Sequence, residues 1–362
     1  MPDLANNYQN ILNNFFYFSI SKNDSIYRLP KLKLVGHFMA ILVTGGAGYI
    51  GSHFVRLLSK NRIDVVILDN LSRGHIESIP VGVPFEKVDL LDVESLEKLF
   101  NNYKIDAIVH FAAFAYVGES VENPGLYYTN NVAGSLNLIK AAHKYGVQKF
   151  VFSSTCSLYG NPERVPISEE ETTKPINPYA NTKLMIEKIL SDFESTYNSK
   201  FVALRYFNAA GADPSGEIGE SHDPEPHLIP IVLKTALGER EKVLVFGNDY
   251  KTPDGTCIRD YIHINDLADA HFKALNYLES EKKSQIINLG TGSGNSVLEL
   301  IELSRKITGA EINAELTARR AGDPAILVAD NRKAFDFLGW KPVNDLTQIL
   351  TDAWNWHKNQ KY

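Results

Sequence analysis

The 362-residue chain carries 37 Lys and Arg against 43 Asp and Glu, a net charge of −6, and 44% of it is hydrophobic, enough for about two domains with sizeable buried cores. That acidic balance, with no Lys/Arg-rich block, argues against a general affinity for nucleic acid or anionic membranes, and leaves a small anionic molecule held by local positive groups as the charged partner the chain can take. The two cysteines, Cys156 and Cys257, lie outside any Cys-x-x-Cys or Cys/His cluster, so neither a disulfide framework nor a thiolate zinc site is expected, nor any other metal site; with no apolar run of about 18 residues, the expected compartment is the cytoplasm.

Residues 1–38 precede the first clear strand. Ile11, Leu12 and Phe15 to Phe18 form a short apolar stretch, but Lys22, Arg28, Lys31 and Lys33 follow it, the wrong order for a secretory signal. The segment reads as an extension, poorly ordered or untranslated, with Met39 standing directly before the strand.

From there the chain alternates short β-branched runs with longer amphipathic ones. Ala40 to Thr44, Asp64 to Leu68, Ala107 to His110, Lys149 to Ser153 and Phe201 to Arg205 read as buried strands. Between them Tyr49 to Lys60, Val93 to Asn101, Pro124 to Tyr145 and Tyr179 to Tyr197 read as helices. Strand and helix repeated in this way predict an α/β fold, a doubly wound parallel sheet covered on both faces. Prolines and glycines crowd the chain after Asn208, so the boundary falls there: a first domain over 39–209 and a smaller second one over 210–362. The second is expected to send a segment near 261–290, the Asn265 to Leu278 helix and the Ile286 to Leu289 strand, back to the sheet.

Thr44-Gly45-Gly46-Ala47-Gly48-Tyr49-Ile50-Gly51 follows the first strand and opens the first helix. This is the context that the Rossmann-type fingerprint requires: glycines for a tight turn and close backbone approach to a pyrophosphate, and a helix N-terminus with partial positive charge. Asp69 ends the second strand 18 residues after Gly51, where a carboxylate accepts hydrogen bonds from ribose hydroxyls and repels a 2′-phosphate. NAD is therefore expected in preference to NADP, with nearby Arg73 as the counter-signal.

Tyr179 and Lys183 stand at i and i+4 at the start of a helix, on one face. Such a pair alone is a weak signal. It gains weight from Ser153-Ser154-Thr155, at the end of a parallel strand where ligands of open α/β sheets collect.

These features, with Asp69-Asn70, His110-Phe111-Ala112, Val117-Gly118-Glu119-Ser120, Arg205-Tyr206-Phe207-Asn208, Phe246-Gly247-Asn248-Asp249-Tyr250 and Arg259-Asp260-Tyr261-Ile262-His263, resemble the extended short-chain dehydrogenase/reductases of the NAD-dependent epimerase/dehydratase family, from Met39 to near the C-terminus. The resemblance implies reversible 4-epimerisation of UDP-galactose and UDP-glucose through a 4-keto intermediate with tightly bound NAD. It implies that Tyr179 is the general base and acid, that Lys183 holds the nicotinamide ribose and lowers the Tyr179 pKa, and that Thr155 hydrogen-bonds the reacting hydroxyl. The cofactor would meet Gly45, Gly48, Tyr49, Ile50, Gly51, Asp69, Asn70, Asp89, Leu90, Phe111, Ala112, Asn131, Ser153, Tyr179, Lys183 and Phe207. The UDP-sugar would meet Thr155, Tyr179, Asn208, His227, Leu228, Phe246, Arg259, Tyr261, Arg320 and Asp323, the two arginines clamping the diphosphate. A homodimer packed through the 124–145 and 179–197 helices is implied as well.

A phenol of pKa near 10 is only about one part in a thousand ionised at pH 7. One cation at about 6 Å, at an effective dielectric of about 20, supplies about 2.8 kcal/mol, or two pKa units. The positive nicotinamide of oxidised NAD is expected to supply the remainder.

Some positions depart from the family pattern. Ala115 stands where many epimerases carry lysine, and His227 where asparagine is usual, either replacing its bond to the diphosphate or capping a helix. Leu327 falls at a position whose bulk favours the plain hexose over N-acetylated sugars. The turn after Thr155 continues Cys156-Ser157-Leu158-Tyr159-Gly160 with no acid, which disfavours the related dehydratases and decarboxylases. Epimerases of other UDP-sugars, such as pentoses, uronates and N-acetylhexosamines, and a non-catalytic NAD-binding regulator on the same fold, stay open.

Overall fold

A computed structural model describes residues 40–320 and 323–362 of the chain. The reading of residues 1–38 as an extension lies outside the described residues.

The first half unfolds in the order β1 (Ile41–Thr44), α1 (Tyr49–Lys60), β2 (Val65–Asp69), β3 (Phe85–Lys87), α2 (Val93–Asn102), β4 (Ala107–His110), α3 (Val117–Glu122), α4 (Pro124–Tyr127), α5 (Gly134–Lys144), β5 (Lys149–Ser153), α6 (Pro178–Tyr197) and β6 (Lys200–Tyr206). Every residue of β1, β2 and β4 is buried, as uninterrupted apolar runs require when helices cover both faces. The second half adds β7 (Asn208–Ala210), α7 (Leu228–Ala236), β8 (Val243–Phe246), β9 (Ile258–Arg259), β10 (Tyr261–His263), α8 (Ile264–Glu281), β11 (Gln285–Leu289), β12 (Asn295–Ser296), α9 (Val297–Thr308), β13 (Ala314–Thr317), β14 (Ile326–Leu327), α10 (Arg332–Leu338) and α11 (Leu346–His357).

Among the described residues seven strands form the main sheet in the order β11-β6-β5-β4-β1-β2-β3, every pairing parallel. This is the doubly wound sheet expected from the alternation. From β1 the chain winds one way through β2 and β3 and the other way through β4, β5 and β6, so the crevice between the two windings opens at the carboxyl ends of β1 and β4. α8 packs on α1, and β11 extends the sheet beside β6. One core lies between the sheet and its helices, with Leu42, Ile108, Leu138, Phe150 and Ile186 at its centre. A second gathers Ile229, Val232, Leu233, Val245, Leu300, Ile349 and Leu350 from α7, β8, α9 and α11.

Beyond the elements of the second half that the sequence left unassigned, two differences bear on the sheet and the site. The helix expected over 124–145 is interrupted by a π-helical stretch, Tyr128–Ala133, where the wider turn accommodates the buried Asn131 and its bonds to a neighbouring loop. β3 was not foreseen: three residues long, half-exposed and containing Glu86 and Lys87, it is a polar edge strand without an apolar run to announce it.

Candidate active site

The carboxyl ends of the strands open on a cleft of about 630 Å³ that also reaches α7, β8 and Arg320. Of the residues expected to hold cofactor or substrate, all but Asn131 line it.

On the cofactor side, Gly45 has φ +73°, and a Cβ there would stand 2.6 Å from the Ala112 nitrogen. A Cβ on Gly51 would lie 2.1 Å from the Gly45 carbonyl oxygen, so the turn and helix can meet only without side chains at these points. Gly48 precedes α1 with extended backbone, and no side chain caps the helix, which leaves first-turn N–H groups available to an anion. Asp69 accepts from Ala47 N at 3.0 Å and from Leu71 N at 2.8 Å. Burial raises its carboxyl pKa while those N–H groups pull it down. Asn70 Nδ2 donates to Asp89 Oδ2 at 2.9 Å. Arg73, the counter-signal for NADP, gives its Nη2 to Glu119 Oε1 at 2.6 Å and lies 4.8 Å over the Tyr116 ring, so its charge is already engaged.

Asn131 works one layer back. It accepts from Phe114 N at 2.9 Å and donates to Phe114 O and Thr182 Oγ1, each at 3.0 Å. These bonds pin the 111–117 wall of the cleft to α6 and keep the side chain out of the cleft itself.

Asn177 caps α6 through Ala180 N and Pro178 occupies its first turn, which fixes where Tyr179, Lys183 and, one turn on, Glu187 fall. All three are buried. Lys183 Nζ donates to Ser153 O at 2.8 Å and sits 6.0 Å from the centre of the Tyr179 ring. Burial nevertheless pushes the Lys183 ammonium down to about 7. It drives the Tyr179 phenol well above its ordinary value, against which the Thr155 hydroxyl acts by hydrogen bonding. The protein's own groups therefore favour the protonated form of Tyr179.

On the far wall Arg259 Nη1 donates to Ile258 O at 2.9 Å, and Nη2 lies 3.4 Å from Asp323 Oδ1. The Arg320 guanidinium stacks 4.1 Å over Phe246. Asn208, Leu228 and Tyr261 complete this side. His227 occupies the N-cap position of α7, but its ring caps nothing: Nδ1 faces Glu225 Oε1 at 2.9 Å and Glu220 Oε1 at 2.8 Å. Leu327 packs with Cys156, Tyr159, Ile167, Phe207 and Ala329, behind Cys156 and Phe207, which do line the cleft.

The sequence reading passed over Tyr206, whose hydroxyl meets Ser153 Oγ at 2.9 Å, and over Glu220 and His222. The spacing Glu220-x-His222-x-x-Glu225-x-His227 was the available signal for the last two.

A doubly wound sheet whose glycine turn, Asp69 and Tyr179/Lys183 pair open on one cleft defines a dinucleotide-dependent enzyme of the short-chain dehydrogenase type. The chain belongs to the NAD dependent epimerase/dehydratase family, whose model matches residues 41–290. It is 51% identical over 325 residues to a UDP-glucose 4-epimerase of Halalkalibacterium halodurans, covering 90% of this chain and 97% of that one. With a UDP-glucose 4-epimerase of Streptococcus mutans it shares 49% over 324 residues, 89% of this chain and 97% of the other. Among solved structures, Brucella ovis UDP-glucose 4-epimerase in complex with NAD superposes with a TM-score of 0.85 at 47% identity, over 87% of this chain and 97% of that one. The Bifidobacterium longum enzyme in complex with NAD+ and UDP gives 0.85 at 39% identity, over 89% and 98%.

Proposed function

We propose that this protein interconverts UDP-galactose and UDP-glucose, inverting C4 of the hexose through a 4-keto intermediate with NAD retained throughout. The observation that carries this reading is the meeting of Tyr179, Lys183 and Thr155 with the glycine turn and Asp69 in one cleft, in a chain about half identical to UDP-glucose 4-epimerases. Bound NAD supplies a hydride acceptor that later returns the hydride.

Tyr179 takes the proton of the C4 hydroxyl and gives it back, Thr155 orients that hydroxyl, and Lys183 holds the nicotinamide ribose. For the opposite face to receive hydride, the sugar must turn while its nucleotide stays fixed. Arg259 and Arg320 are suited to the fixed part, since planar guanidinium groups bind diphosphate oxygens at several points. Asn208, His227, Leu228, Phe246, Tyr261 and Asp323 complete the nucleotide side. The turn after Thr155 offers no acid for elimination: Cys156 is buried with its thiol pushed up to about 12, and Glu187 is occupied by Ser154 and Arg205.

In this reading residues 39–209 form the NAD-binding domain and 210–362 the substrate domain, with α8 and β11 returned to the first. Leu327, by filling space behind Cys156 and Phe207, favours the plain hexose. A homodimer forms through α5 and α6 and their surroundings, where Val121, Leu126, Met185 and Tyr197 present apolar surface. Among the described residues no helix is long and apolar enough to cross a membrane, and the cytoplasm is the compartment assigned.

The test is conversion of UDP-galactose to UDP-glucose by the purified chain without added hydride donor, run beside UDP-N-acetylhexosamines, UDP-xylose and UDP-glucuronate. Turnover of the first pair is expected to exceed the rest. Absence of that turnover overturns the substrate assignment.

A further inference from the structure

Between β7 and α7 the chain runs over the cleft and places Glu220, His222, Glu225 and His227 so that one ligand atom of each lies within 4.8 Å of all the others. Both histidines present Nδ1 to the carboxylates. His227 Nδ1 is 2.8 Å from Glu220 Oε1 and 2.9 Å from Glu225 Oε1. His222 Nδ1 is 3.3 Å from Glu220 Oε1 and 3.5 Å from Glu225 Oε2. The corners of a tetrahedron around zinc, with bonds of about 2.0–2.1 Å, are about 3.3 Å apart.

Hydrogen bonding alone does not satisfy this group. His227 Nδ1 carries at most one hydrogen, yet two carboxylates approach it. Among the described residues His222 Nδ1 and Glu225 Oε2 make no well-aligned hydrogen bond, only ion-pair contacts of 3.3 and 3.5 Å, although the Glu225 side chain is only 3% exposed. Such orphaned atoms are costly unless another ligand meets them. Once it has displaced the imidazole protons, one divalent cation cancels the charge of −2 on two carboxylates and two neutral imidazoles. The surroundings hold the donors in place: the His222 ring meets Tyr49 and Tyr116 edge-on, His75 Nε2 meets Ser221 O at 3.1 Å, and His227 N donates to Glu225 Oε1 at 3.0 Å.

We infer that Glu220, His222, Glu225 and His227 form a structural site for a divalent transition metal, zinc above all, that fixes the 220–227 segment against α1 and the start of α7. Nitrogen and carboxylate donors suit zinc, and four protein ligands leave no position for substrate, so the ion is a pin and not a catalyst. Expectations based on cysteine miss such a site, because its signal is a His/Glu spacing. The inference does not depend on which sugar is turned over; it commits His227 Nδ1 to the ion and leaves only Nε2 of that ring for the nucleotide side.

The experiment uses the full chain with any affinity tag removed, measuring metal content by mass spectrometry and then titrating chelator-treated protein with zinc, cobalt, calcium and magnesium. About one zinc per chain, a cobalt absorption band of a four-coordinate nitrogen/oxygen site, and a raised Tm with zinc but not with calcium or magnesium are expected. In His222→Ala and in the milder Glu225→Gln, zinc binding is expected to weaken by about 100-fold or more. Wild-type protein that neither retains nor takes up zinc or cobalt overturns the inference and assigns the cluster to two protonated histidines paired with two carboxylates. Folded variants that bind zinc as tightly as wild type overturn it too.

Discussion

Glu187 grips the guanidinium of Arg205 at two points, Oε1 to Nε at 3.0 Å and Oε2 to Nη2 at 2.6 Å, with side chains only 4% and 5% exposed. The pair sits under the turn that carries Thr155: Ser154 Oγ donates to Glu187 Oε1 at 2.6 Å, Arg205 Nη1 donates to the Tyr159 hydroxyl at 3.0 Å, and that hydroxyl donates to Asn288 Oδ1 at 2.7 Å. One turn of α6 thus links the helix carrying Tyr179 and Lys183 to the Ser153-to-Thr155 turn and to β6 and β11.

Breaking this pair leaves a buried arginine without its counter-charge. Glu187→Gln is expected to cost about 3–5 kcal/mol and to loosen the turn that carries Thr155. Denaturant midpoints and kcat measured on the same preparation check both, and an unchanged midpoint contradicts the role.

Removing the Tyr179 hydroxyl leaves the ring packing in place. Tyr179→Phe is expected to lower turnover by about 10²–10⁴-fold, while NAD released on denaturation stays at one equivalent per chain. Wild-type turnover removes Tyr179 from the mechanism.

At Gly51 there is no room for a methyl group, since its carbon would fall on the Gly45 carbonyl. Gly51→Ala is expected to displace the turn from the helix and yield protein largely free of dinucleotide, read from the absorbance ratio of the purified chain. Retention of a full complement of NAD refutes this account of the turn.

If Arg320 and Arg259 hold the diphosphate, truncating Arg320 to alanine removes about 2 kcal/mol of binding, roughly 30-fold in KM, with a smaller change in kcat. The ratio of the two effects is what steady-state kinetics with UDP-galactose reads. A loss confined to kcat argues against a clamp.

Stability should fall in mild acid. His110, enclosed between Thr44 Oγ1 and Ser135 Oγ at 2.6 and 2.7 Å, has its pKa lowered by burial to about 3. His271, bonded to Leu267 O, is lowered by burial to about 4. The unfolded chain takes up protons near 6.5, which these folded histidines refuse until much lower pH. Stability is therefore intact above 6.5 and is lost as pH falls from there toward 4, on the order of 3 kcal/mol for each histidine. Urea midpoints between about pH 7.5 and about pH 5 should show the decline, and His110→Gln should flatten it.

Sequence alone was enough for the repeating strands and helices of the first half, because buried parallel strands are unbroken apolar runs and their helices are amphipathic at a regular period. It also marked the dinucleotide turn, since the constraint is steric and local: only glycine fits at Gly45 and Gly51. Tyr179 and Lys183 were legible as one face of a helix. What the sequence could not give was anything decided by chain segments far apart. Asn131 falls behind the wall, not in the cleft, because a π-helical turn and Thr182 claim its amide. Burial by surrounding elements sets the protonation of Lys183 and Tyr179, and Glu119, 46 residues away, engages Arg73. The gathering of Glu220, His222, Glu225 and His227 about one point likewise depends on the path of a loop held by α1 and α7. Local pattern determines which elements form; long-range packing determines which polar atoms meet, because burial and charge depend on neighbours that the sequence does not place side by side.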